Sequence, residues 1–140
     1  MATVEKPENV SGDARVSGGA RVSGDAQVSG DARVSGDARV YGDARVSGGA
    51  RVSGDARVYG DAWVYGDARV SGDARVSGGW IGDGARIDAA QHVQTYRDRD
   101  GALWTAYRTA DGARIVQWDQ PVEPEDAPEI VRLLAAEVAS

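Results

Sequence analysis

The chain of 140 residues carries 16 basic and 22 acidic side chains, and its net charge is −6. We expect no nucleic-acid partner, because such binding usually needs a basic surplus. No apolar run approaches the roughly 20 residues that span a membrane, and the start of the chain lacks the segments of a signal peptide. Cysteine is absent, which excludes disulfides and thiolate metal sites. We therefore expect a cytoplasmic protein with no membrane contact.

A six-residue unit, Ala-Arg-Val-Ser-Gly-Asp, recurs from Ala14 to Gly79. Alternate residues of a strand point to opposite faces, so the Ala and Val of each unit point inward, and Arg and Ser point outward. Gly and Asp tolerate turn conformations, and each unit therefore predicts one short strand and one corner. A helix is excluded, because a period of six does not keep one helical face. Disorder is the other alternative, but the constant phase of valine favours a solenoid of parallel strands.

These units resemble the hexapeptide-repeat family, whose motif is aliphatic, small, any, any, small, any. Val16-Ser17-Gly18-Gly19-Ala20-Arg21 and Val52-Ser53-Gly54-Asp55-Ala56-Arg57 both fit this motif. The resemblance covers about residues 2–90 and implies an all-β solenoid, a left-handed parallel β-helix with three flat faces and eighteen residues per coil. The left-handed sense comes from the family alone, because general rules favour right-handed crossovers between parallel strands.

Coils of this length predict which side chains stack. The spacing gives fifteen strands in about five coils, with one residue fewer between Val76 and Ile81 than between the earlier repeats. The predicted inward columns are Val4, Val22, Val40, Val58 and Val76 on the first face, Val10, Val28, Val46, Val64 and Ile81 on the second, and Val16, Val34, Val52, Val70 and Ile87 on the third.

Aromatic side chains occupy two of the outward faces. Tyr41 lies one coil from Tyr59 on the first face, and Trp63 and Tyr65 flank Val64 on the second. Exposed aromatic clusters are typical of interfaces, so these four residues are predicted as an interaction site for a protein partner or for a homo-oligomer. A stacking ladder with no partner is the alternative.

The third face carries a column of arginines beside aspartates two residues earlier. This column is either an anion-binding strip or a solvated ion-pair network. The near-neutral sum of charges favours the network. Its members are Arg15, Arg33, Arg51, Arg69 and Arg86, with Asp13, Asp31 and Asp67.

The repeat ends after Asp88, and residues 91–140 are predicted as a small α+β cap on a β-helix of residues 1–90. The predicted elements are strands at 92–96, 103–108 and 114–118, a turn at Asp111-Gly112, a linker at 120–125, and a helix at 127–139. The helix carries an apolar stripe of Ile130, Leu133, Leu134 and Val138, and Leu103, Trp104 and Trp118 are expected to be buried. This arrangement loosely resembles small phage-borne and bacterial repeat proteins with a short tail.

The resemblance also suggests a chemistry to test. Hexapeptide acyltransferases use acyl-CoA, usually as trimers, with a histidine general base at a cleft between subunits. His92 is the one histidine here, and it lies in no recognisable motif. The carbonic-anhydrase branch binds metal through three histidines, which one residue cannot supply.

We therefore predict a non-enzymatic structural or protein-interaction module with no cofactor and no metal. The alternative is a minimal hexapeptide acyltransferase that uses acyl-CoA, with His92 as the candidate catalytic residue.

Overall fold

The structure, a computed structural model, describes residues 2–82 and 84–139. Its repeat region consists of two-residue strands separated by corners that contain glycine. In chain order they are β1 (Thr3–Val4), β2 (Arg15–Val16), β3 (Arg21–Val22), β4 (Gln27–Val28), β5 (Arg33–Val34), β6 (Arg39–Val40), β7 (Arg45–Val46), β8 (Arg51–Val52), β9 (Arg57–Val58), β10 (Trp63–Val64), β11 (Arg69–Val70), β12 (Arg75–Val76), β13 (Trp80–Ile81) and β14 (Arg86–Ile87).

These strands form three parallel sheets, in which each strand pairs with the strand one coil further along. The first sheet is β1-β3-β6-β9-β12, the second is β4-β7-β10-β13, and the third is β2-β5-β8-β11-β14. Val22 pairs with Val40, an offset of one eighteen-residue coil. The last coil is one residue shorter, because Val64 pairs with Ile81. The predicted solenoid of about five parallel coils is confirmed, and its left-handed sense stays a prediction.

Main-chain hydrogen bonds join every coil to the next. The Arg33 N–H donates to the Ala50 carbonyl at 2.9 Å, and the Ser35 N–H donates to the Val52 carbonyl at the same distance. Ala50 and Val52 are fully buried, because they point into the interior from the same face of the strand. The small side chains of the repeat therefore form one continuous core along the axis of the solenoid.

The first coil differs from the prediction at Val10. The expected strand there is reduced to a single bridge to Val28, because Pro7–Asn9 forms a 3-10 turn. The buried Asn9 side-chain amide donates to the Ala26 carbonyl at 2.7 Å and to the Gly24 carbonyl at 3.2 Å. A side chain thus supplies contacts that the main chain supplies elsewhere in the ladder.

The C-terminal part forms an antiparallel sheet and one helix. The strands pair in the order β15-β16-β17-β18. The sequence predicted three of these strands, and the fourth lies in the segment predicted as a linker. The elements are β15 (Val93–Arg97), β16 (Leu103–Thr109), β17 (Gly112–Gln117), β18 (Gln120–Val122) and α1 (Glu129–Ala139).

This sheet lies between the last coil and α1. Tyr107 and Val116 point from one face into the core of the solenoid. Trp104 and Ile115 point from the other face and pack against Val131 of α1. The sheet therefore covers the C-terminal end of the core, as the sequence predicted for the cap.

The predicted burial of Trp118 is wrong, and the apolar stripe of the helix is buried only in part. The helix buries Val131 and Val138, whereas Ile130 and Leu133 of the predicted stripe are 45% and 63% exposed. Trp118 is 45% exposed as well, because it lies in the turn between β17 and β18 with a positive φ of 52°. The helix also begins at Glu129, two residues later than predicted, since Pro124–Asp126 forms a 3-10 turn.

A glycine at a corner of the coils and a glycine in a turn of the cap together give a direct test of the coil packing. Gly54 and Gly101 both have positive φ, but a Cβ on Gly54 would lie 2.8 Å from the Gly72 nitrogen, whereas one on Gly101 would meet nothing within 4 Å. We expect Gly101→Ala to lower the free energy of unfolding by about 1 kcal/mol, the cost of left-handed backbone. Gly54→Ala adds a steric clash between coils and should cost roughly 3 kcal/mol or more. Urea unfolding followed by circular dichroism measures both, and equal costs would contradict the coil spacing.

Candidate functional site

His92 lies at the junction between the last coil and the cap. It ends the 3-10 turn Ala90–His92 and is only 6% exposed. Its Nδ1 lies 2.9 Å from the Asp88 carboxylate, and its Nε2 lies 3.1 Å from the Arg108 guanidinium of β16. Arg108 also lies 3.6 Å from the Asp88 carboxylate. The three residues, which we call the junction triad, connect the coil to the cap.

The partners of His92 occupy both of its ring nitrogens. A guanidinium can only donate hydrogen bonds, so Nε2 accepts the bond from Arg108. Nδ1 is contacted by two groups of Asp88, the backbone N–H, which donates to it at 3.2 Å, and the carboxylate at 2.9 Å. A general base needs a free lone pair within reach of the substrate. The lone pair of His92 is already used by Arg108, so this arrangement suits a structural role better than proton abstraction.

The predicted interaction residues Tyr41 and Tyr59 form a stack on the coils. Their ring centroids are 5.1 Å apart and their planes differ by 4°. Both side chains are half-buried. Because each ring covers a face of the other, the ring edges and hydroxyl groups are what this pair presents to a partner.

The predicted residues Trp63 and Tyr65 are brought together by a third ring, that of Trp80. Trp80 stacks on Trp63 at 4.5 Å between centroids and meets Tyr65 edge to face at 6.2 Å. The Arg45 guanidinium lies 4.5 Å from the centroid of the Trp63 ring, a cation–π contact. The backbone N–H of Trp80 donates to the Thr105 hydroxyl of the cap at 3.2 Å. The stacked rings of Trp63 and Trp80 therefore form a column that ends on the cap.

Sequence reasoning overlooked Trp80 as part of the aromatic site. The signal was present, because the shortened last coil places Ile81 under Val64 and therefore places Trp80 under Trp63. Asp88 and Arg108 of the junction triad carried no such signal. Arg108 lies in the cap, where no repeat predicts which residue approaches His92.

A second polar group is buried at the junction, the phenol of Tyr107. This residue is 1% exposed, and burial raises its pKa to about 12. Hydrogen bonds with the Gly82 backbone and the Arg114 side chain act in the opposite direction and only partly offset the burial. Tyr107 is therefore held in its neutral form between the coil and the cap.

Comparison with known proteins identifies the family of the coils. The YdcK beta solenoid repeat matches five segments, residues 10–24, 26–40, 38–52, 50–66 and 68–81, which together cover half of the chain. The chain belongs to this family of β-solenoid repeat proteins, and the expected membership in a repeat β-helix family is confirmed. No curated protein and no solved structure matches the chain.

Among the helices of the described residues, none is long and apolar enough to cross a membrane. Within the same part of the chain, no group of three or more His, Cys, Asp or Glu residues is placed to hold a metal ion.

The burial of Tyr107 predicts a loss of stability at alkaline pH. The pKa of Tyr107 is about 12 in the folded protein and about 10 in an unfolded chain. Because the unfolded chain loses this proton first, the contribution of neutral Tyr107 to the free energy of unfolding is complete below pH 10 and is lost as the pH rises toward 12. Two pH units correspond to roughly 2–3 kcal/mol. Urea unfolding at several pH values should show this decline, and Tyr107→Phe should reduce it. Tyr41→Phe is the control, and an equal decline in Tyr107→Phe and wild type would contradict the assignment.

Proposed function

We propose that this β-solenoid is a non-enzymatic structural and protein-interaction module of the cytoplasm. The coils present side chains at fixed positions, and the cap supplies a second surface. The observation that carries the proposal is the outward apolar face of α1, where Ile130 and Leu133 on adjacent turns are 45% and 63% exposed. Large apolar side chains grouped at a surface are typical of protein contacts. The partner of this face is a protein.

The aromatic residues of the coils supply a second contact region. Tyr41 and Tyr59 present hydroxyl-bearing edges, and Trp63 is half-buried between Arg45 and Trp80. Rings with an apolar body and a polar edge are enriched at protein interfaces. Because stacking already fixes these rings, a partner that binds them meets side chains with little rotamer freedom left to lose.

The acyltransferase alternative receives less support. Its general base would be His92, whose Nε2 accepts from Arg108 and whose Nδ1 faces Asp88. Those contacts join two parts of the same chain, and the ring is almost fully buried. A substrate would have to displace Arg108 before it reached the lone pair.

The alternative can be tested by titrating acetyl-CoA into the protein in an isothermal calorimeter. We expect no binding to wild type or to His92→Gln, because His92 is buried in contacts with Asp88 and Arg108 and lines no site for acetyl-CoA. The control is the same titration into an acyltransferase of the hexapeptide family. Binding by wild type that His92→Gln abolishes would contradict the non-enzymatic proposal.

The interaction surface can be tested with a photo-reactive amino acid placed at Leu133 or Tyr41 and activated in the source cells. We expect one defined cross-linked protein from each position, because both side chains are exposed or half-exposed on the proposed contact regions. The control position is Arg33, an exposed residue of the third sheet. Identical products from Arg33, or none from Leu133 and Tyr41, would contradict the proposal.

A further inference from the structure

The outer face of the first sheet carries two parallel columns of opposite charge. Arginines of successive coils pair directly across the sheet, and aspartates lie two residues before them at the adjacent corner. A groove of about 620 Å³ runs along the columns, and Gly19 lies at one end of it. We call these the arginine column, Arg21, Arg39, Arg57 and Arg75, and the aspartate column, Asp37, Asp55 and Asp73.

Among the described residues, no ion pair joins the arginine column to the aspartate column. The ion pairs of residues 2–82 and 84–139 join Lys6 to Asp25, and His92 and Arg108 to Asp88. None of these pairs uses either column. Like charges directly opposite each other on neighbouring strands are unfavourable. Each column is therefore a row of one charge, repeated at the coil spacing of about 4.8 Å, with no counter-charge in contact.

The other two faces lack this pattern. The second sheet has Gln27, Arg45, Trp63 and Trp80 where the first has its arginines. The third sheet keeps five arginines, but Gly49 and Gly84 interrupt its aspartates. The carboxylate of Asp67 on that face accepts a hydrogen bond from the Gly84 N–H at 2.7 Å. Only the first face carries both charges without a gap over three consecutive coils.

We infer that the first face binds a second copy of this chain, with the two solenoids parallel and related by a two-fold axis along the groove. This rotation brings the arginine column of one copy opposite the aspartate column of the other. Every coil keeps its position along the solenoid axis. Arg39 of one copy then faces Asp37 of the other, Arg57 faces Asp55, and Arg75 faces Asp73, and each contact occurs twice. An antiparallel pair would set aspartate against aspartate.

A second copy fits this face better than other charged partners, because its charges repeat at the same spacing. Its charges are spaced by the same main-chain ladder, so the two rows stay in register over the whole contact. Both charges of the face are also matched at once, which a polyanion cannot do. The stacked Tyr41 and Tyr59 lie two residues beyond Arg39 and Arg57 and border the contact. This inference goes beyond the proposed function, since it concerns copies of the chain and not the partner of the cap.

Exposed ion pairs are individually weak and are screened by salt, so this contact depends on repetition. We expect sedimentation velocity to show a dimer at low ionic strength that dissociates as salt is added. Two charge variants test the pairing. Arg39→Asp with Arg57→Asp makes the face acidic, and Asp37→Arg with Asp55→Arg makes it basic. Each variant alone should dimerise at least tenfold more weakly than wild type.

The decisive step is to mix the two variants. In the proposed geometry the acidic face of one matches the basic face of the other at every altered position, so an equimolar mixture should form a heterodimer. The matched control is Arg33→Asp with Arg51→Asp on the third face, which has the same net charge as the acidic variant and should dimerise like wild type. Circular dichroism verifies that every variant is folded.

Four results would overturn the inference. Wild type could be monomeric at low ionic strength at every concentration, or it could form a trimer. The mixture could stay monomeric, or the third-face control could lose the dimer as well. In the last case net charge, and not the first face, would govern the association.

Discussion

Each coil is attached to the next by main-chain hydrogen bonds that span seventeen residues, as between Arg33 and Ala50. This ladder sets the vertical repeat, and the repeat leaves little room between coils. The interior accepts only small apolar side chains, and the corners need glycine with positive φ, as at Gly54. The same ladder places every outward residue directly over its counterpart in the next coil. The ordered rows of aromatic and charged side chains on the surface are therefore a consequence of the hydrogen bonds inside it.

The two ends of the hydrogen-bond ladder are closed in different ways. At the start, Pro7 and the buried Asn9 change the first coil, and the Asn9 amide bonds to carbonyls of the second. At the far end, the sheet of the cap covers the core with Tyr107 and Val116. The junction triad and the neutral Tyr107 phenol then join cap to coil through polar groups. The one histidine of the chain is part of this joint, which connects the stability of the fold to the non-enzymatic proposal.

The sequence predicted the structure best in the part of the chain that repeats. Eleven similar units from Ala14 to Gly79 made the phase of Val and Ala clear. The columns and the shortened last coil could therefore be derived, and the stack of Tyr41 on Tyr59 followed from the same arithmetic. Trp80 could have been placed under Trp63 in this way. The loss of the strand at Val10 could not be derived in this way, because it depends on the 3-10 turn Pro7–Asn9 and on the contacts of the Asn9 side chain. The cap contains no repeat, so no equivalent position elsewhere in the chain indicates which way a side chain points. Helical spacing alone could not tell whether Val131 or Leu133 faces the sheet.

The central claim is the ladder, and scalar couplings across hydrogen bonds measure it directly by NMR. The Tyr59 N–H donates to the Val76 carbonyl at 2.8 Å, and the Trp63 N–H donates to the Gly79 carbonyl at 2.9 Å. The account predicts a coupling between the amide nitrogen of Tyr59 and the carbonyl carbon of Val76, and one between Trp63 and Gly79. The second pair is one residue closer in sequence, which also tests the shortened last coil. Couplings confined to residues within one or two units of each other would contradict the solenoid.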